Sequence, residues 1–163
     1  MYNCEILLKN YQGGHINIMD TITSLIGCPT HVTGMFDCSG NSITSLVGGP
    51  QKVDIGYDCA YNQLNDLTGC ASHIGGHLDI KNNRITSLVG IHKIIKSCPT
   101  IYFNNITILH GGIGLLLIEN LKTISAHSNP FCIINKYLGS GTKGMMECRK
   151  ELISKGYANY AKL

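Results

Sequence analysis

The chain has 163 residues, of which 44% are hydrophobic and 14% charged, and its formal charge is +3. That length suits one folded unit with a continuous core, and the composition excludes a disordered tail. So small a positive balance gives no charge-based reason to expect nucleic-acid binding, whereas 19 glycines and frequent asparagine demand many turns.

At the start of the chain, Tyr2 to Leu8 sets Cys4, Ile6 and Leu8 in alternation, which predicts a short strand. Met1 to Tyr11 lacks the charged start and apolar middle of a signal peptide, and no apolar run approaches the ~20 residues that span a bilayer. The protein is therefore expected in the cytoplasm. Its cysteines, Cys4, Cys28, Cys38, Cys59, Cys70, Cys98, Cys132 and Cys148, then read as reduced, buried thiols. No two have Cys-x-x-Cys spacing, and the histidines lack His-x-x-x-His spacing, so neither metal nor cofactor is expected.

From residue 13 the chain repeats every 21 residues. Phe36-Asp37-Cys38-Ser39-Gly40-Asn41-Ser42-Ile43-Thr44-Ser45-Leu46 aligns with Tyr57 to Leu67, with Leu78 to Leu88, and, without a gap, with Pro99 to Leu109. An earlier copy, Ile16 to Leu25, is shorter by one residue. About five coils are thus expected over residues 13–117, after a cap at 1–12.

Each column has a physical role. Apolar residues two apart, such as Phe36 and Cys38 or Leu78 and Ile80, predict very short strands with one edge inward. Asn41, Asn62, Asn83 and Asn104 follow the strands, where a buried amide can bond the turn backbone of its own coil and the next. Ile43, Leu64, Ile85 and Ile106, with Leu46, Leu67, Leu88 and Leu109, are expected to fill the interior. Gly27, Gly48, Gly69, Gly90 and Gly111 permit the reversal that follows. The return segments carry Val32, Val53, Ile74 or Ile95 as an apolar anchor. No coil can bury its own apolar edge, so stability must come from stacking, at about 4.8 Å per strand.

This pattern resembles the leucine-rich repeat, with Phe36-x-Cys38-x-x-Asn41-x-Ile43-x-x-Leu46 and its copies matching the family consensus over roughly residues 13–117. The resemblance implies a solenoid with a parallel β-sheet. Cys and Ile stand where the family has Leu, and the short Gly/Pro-rich returns carry no helical pattern, so a turn-like convex side is expected and a parallel β-helix stays open. The Asn-x-Ile-Thr-Ser-Leu-x-Gly layout, with Asn135-Lys136-Tyr137-Leu138-Gly139, also looks like small repeat proteins encoded by tailed bacteriophages. That likeness implies an accessory protein that engages a bacterial host factor.

Residues 118–163 read as a helical C-terminal region covering the last coil. Ser128-Asn129-Pro130 starts a helix over Phe131 to Leu138, which Gly139 stops. Met145, Cys148 and Leu152 give helical spacing to Thr142 to Lys155, and Gly156 closes it.

Asp37, Asp58 and Asp79 share a column and are expected to project side by side, with Thr100 ending the row. Like charges on adjacent strands repel, so the stripe suggests a surface for a basic protein partner, a cation or a sugar; the plainer reading is a solvated face whose repulsion Lys81 or Arg84 relieves. Tyr61 and Tyr102 are the aromatic candidates for that surface, while Tyr57 and Phe103 read as inward. No nucleophile elbow or phosphate loop is present, so the leading reading is a non-catalytic interaction module. Two readings stand beside it. One is a carbohydrate-active β-helix enzyme using the Asp column; the other is nucleic-acid binding through Arg84, Lys93, Lys96, Arg149, Lys150 and Lys155.

Overall fold

The computed structural model describes residues 10–19, 21–104, 106–126 and 129–163, and it is a parallel β-solenoid. The predicted strand at Tyr2 to Leu8, together with Cys4, lies outside the described residues. Six strands form the main sheet: β1 (Ile16–Asn17), β3 (Phe36–Asp37), β5 (Gly56–Asp58), β7 (His77–Asp79), β8 (Thr100–Tyr102) and β9 (Thr123–Ser125). All pair in parallel, with Ile16, Phe36, Tyr57, Leu78, Ile101 and Ile124 in one inward file. The sheet thus continues past residue 117, where the repeats were expected to end.

The return segments are more regular than expected. Strands β2 (His31–Val32), β4 (Lys52–Val53) and β6 (His73–Ile74) make a second parallel sheet, with Val32, Val53 and Ile74 buried. In the next return a one-turn helix, α1 (Ile91–Ile94), follows Gly90, so this side is not purely turn-like. The five reversal glycines do hold the left-handed backbone, with φ from 76° to 91°.

Helix α1 explains the main departure from the sequence reading. It lengthens the coil, so that Leu78 pairs with Ile101 and Asp79 with Tyr102, two residues later than an uninterrupted repeat would place them. Interior positions shift with it. Ile108 is buried, whereas Ile106 is half-buried and Leu109 is 49% exposed, so neither of the latter fills the core as expected. In the earlier coils Ile43, Leu64, Ile85, Leu46, Leu67 and Leu88 are all buried.

The C-terminal segment covers the end of the stack. Helix α2 (Asn129–Lys136) lays Phe131 on Phe103, ring centroids 5.3 Å apart. Asn135 from α2 accepts from the Ile124 N–H at 2.9 Å and donates to the Ile124 carbonyl at 2.7 Å. Those two bonds satisfy backbone groups at the last strand's outer edge, which would otherwise invite pairing. Helix α3 (Gly141–Ser154) buries Cys148 and Leu152, and the turn at Ala158–Ala161 brings the Tyr160 hydroxyl to the Ile108 carbonyl.

One inward side chain is mismatched to its site. Tyr57 is fully buried edge-on to Phe36, and its hydroxyl has no hydrogen-bond partner. A buried polar group without a partner costs about 1–3 kcal/mol. Tyr57→Phe keeps the ring, so it is expected to raise stability by about 1 kcal/mol in denaturant titration; a loss of stability would mean the hydroxyl is satisfied.

Candidate partner-binding face

The outward column of the main sheet reads Asn17, Asp37, Asp58, Asp79, Tyr102, Ser125. Tyr102, not Thr100, therefore follows the acids, because of the longer coil at α1. Thr100 instead pairs with His77, two positions earlier on each strand.

The three carboxylates are tied to their own turns. Asp37 accepts from the Ser39 N–H at 2.9 Å, Asp58 from Ala60 at 2.9 Å, and Asp79 from Lys81 at 3.0 Å. A short acidic side chain bonding the backbone two residues on stabilises a turn, so the column has a structural origin as well as a surface one. It does not project evenly. Asp79 is only 7% exposed and sits under Lys81, whose ammonium lies 2.8 Å from its second oxygen. That bond to Asp79 raises the Lys81 pKa. Asp37 and Asp58 are half-buried; burial is the main cause that raises the Asp58 pKa, with its bond to Ala60 opposing and the charges of Asp79 and Asp37 adding to the rise.

The aromatic candidates flank this row. Tyr102 meets the His77 ring edge-on at 5.8 Å, and the Lys81 ammonium stands 5.7 Å from its centroid. The His77 ring lies so close over Gly56 that a β-carbon there would collide with it. Gly56 and Ala60 thus leave Asp58 with a small residue two positions to either side. Tyr61 is 61% exposed and holds φ = 55°, a left-handed conformation that is an outlier for a bulky residue. The same position in the neighbouring coils is Gly40 (φ 67°) and Asn82 (φ 52°), the residue types that tolerate it. All three donate their N–H to the coil above: Gly40 to Ala60, Tyr61 to Lys81, and Asn82 to Asn104.

Beneath the face the asparagine ladder has three rungs. Asn62 accepts from the Ile43 N–H at 3.0 Å and donates to the carbonyls of Cys38, Cys59 and Ala60 at 2.9 to 3.2 Å. Asn41 and Asn83 repeat the pattern toward Ile22 and Leu64. Each rung ties its own coil to the preceding one, not to the next. Asn104 does not supply the fourth rung: the register shift places it opposite Lys81, and its buried Oδ1 has no partner.

The cationic candidates are dispersed. Lys96 donates to the His92 carbonyl, Lys93 lies on α1, and Arg149, Lys150 and Lys155 lie on or just after α3. Among the described residues, no group of His, Cys, Asp and Glu is arranged to hold a metal ion, and no helix is long and apolar enough to cross a membrane. Comparison with protein families, curated proteins and solved structures gives no match to this chain. Its reading rests on its own residues.

Proposed function

We propose that this protein is a non-catalytic binding module whose main strand face engages a protein surface rich in Lys or Arg. Tyr61 carries the reading. Gly or Asn would suit its backbone better, so an exposed aromatic ring is held there at a conformational cost, and such outliers concentrate at functional positions. Beside it lie the half-buried carboxylates of Asp37 and Asp58 and the Lys81–Tyr102 pair, a mixture of aromatic anchor and charge suited to recognition. A rigid stack offers these groups without ordering cost. The likeness to phage-encoded repeat proteins makes a bacterial host factor the partner and the host cytoplasm its location.

The test is capture from bacterial lysate, with partners identified by mass spectrometry. Tyr61→Asn suits the left-handed backbone, so stability should rise by about 0.5–1 kcal/mol while capture falls at least about tenfold. Asp37→Asn with Asp58→Asn keeps an amide oxygen to accept the turn N–H groups of Ser39 and Ala60 and removes two charges. It should weaken capture and flatten its salt dependence. Wild-type capture by both variants would remove the face from the account.

A further inference from the structure

A groove of about 390 Å3 runs along the C-terminal helices, lined by none of the strand-face residues. Its size falls at the small end of ligand sites, about 300–1,000 Å3. Helix α2 contributes Asn129, Cys132, Ile133 and Lys136, a single stripe at helical spacing. The cap draws little on this stripe: Pro130, Phe131 and Ile134 are the residues α2 buries, and within the stripe only Ile133 packs in part against the core.

The charges in the groove do not cancel. Glu151 accepts from Lys136 at 2.8 Å and from the Tyr137 hydroxyl at 2.6 Å, and these bonds lower its pKa. Its carboxylate is thereby committed. Lys155, the other lining cation, makes no ion pair among the described residues. Two ammonium groups against one carboxylate leave a surplus of one positive charge, next to apolar surface from Ile133 and Tyr157. We propose that this groove binds a small organic anion, a carboxylate or sulfonate on an apolar or aromatic body. Lys155 and the Asn129 amide meet the anion, and Ile133 and Tyr157 cover the body.

Cys132, an exposed thiol in the lining, serves as a reporter. The full chain is titrated with 8-anilinonaphthalene-1-sulfonate, following fluorescence, and Cys132 alkylation by N-ethylmaleimide is followed by peptide mass with and without that probe. The expected result is saturable one-site binding that slows Cys132 alkylation several-fold. Lys155→Glu should weaken it about tenfold or more, as loss and reversal of one close charge implies, and Lys122→Glu, outside the groove, should not. Lys155→Gln, which adds no repulsion toward Glu151, should show a smaller loss at an unchanged melting temperature. Undiminished binding in both Lys155 variants, no saturable binding, or unprotected Cys132 would each overturn the proposal.

Discussion

Asn62→Ala is expected to destabilise the protein by about 3 kcal/mol, measured by denaturant titration, while Asn104→Ala stays within about 1 kcal/mol of wild type. Asn62 is 7% exposed and makes four hydrogen bonds across two coils. Removing it leaves the Ile43 N–H without its acceptor in a site closed to water. The carbonyls suffer less: Cys38 keeps its bond from Asn41, and Cys59 keeps its bond from Asn83. The orphaned N–H and the cavity together set the magnitude. Asn104 holds the same place in the repeating sequence, but its Oδ1 is already unpartnered, so its truncation removes no comparable bond. Equal losses for the two variants would mean that the ladder extends to residue 104.

Gly75→Ala is expected to cost about 3 kcal/mol or more, against about 1 kcal/mol for Gly40→Ala. Gly75 sits at the corner between β6 and β7, where its N–H bonds the Val53 carbonyl at 2.9 Å. A β-carbon there would overlap the Asp54 carbonyl oxygen, and one on Gly76 would overlap that of Ile55. The obstacle is backbone, not a flexible side chain, so the coils would have to separate. Gly40 is left-handed at φ 67° but has open space around its missing β-carbon, so only its conformational preference is lost. Thermal melts of the two variants decide the matter; comparable midpoints would deny that close coil contact at this corner limits the fold.

The first coils were readable because every column has a chemical demand that few residue types meet. Phe36, Tyr57 and Leu78 share an apolar slot, and Asn41, Asn62 and Asn83 share one that needs both a donor and an acceptor. The register change escaped because Asn104 follows Asn83 by one repeat length and so imitates a rung. Strand alternation held the corrective signal: Ile101 and Phe103 reproduce the inward pair Leu78 and Ile80, whereas Pro99 does not. The second sheet gave no signal, since two-residue strands such as His31–Val32 are too short for periodicity to register.

At the candidate face, the Lys81–Asp79 pair was foreseeable from neighbouring opposite charges, and the turn-capping role of the acids is the ordinary habit of Asp before a turn. Tyr61 was singled out as an exposed aromatic, but its left-handed backbone only becomes visible once Gly40 and Asn82 are aligned with it in space. The groove on the helices could not be read from sequence. It arises where α2 and the end of α3 meet, and no spacing rule links Asn129 to Tyr157.

The stacking register is tested most directly by cross-strand nuclear Overhauser contacts in the isotope-labelled protein. In register, Asp58 contacts Asp79 and Asp79 contacts Tyr102, with the Ile80 N–H bonded to the Tyr102 carbonyl. Contacts joining Asp79 to Thr100 in place of Tyr102 would contradict the lengthened coil, and the absence of any Asp58 to Asp79 contact would contradict the solenoid itself.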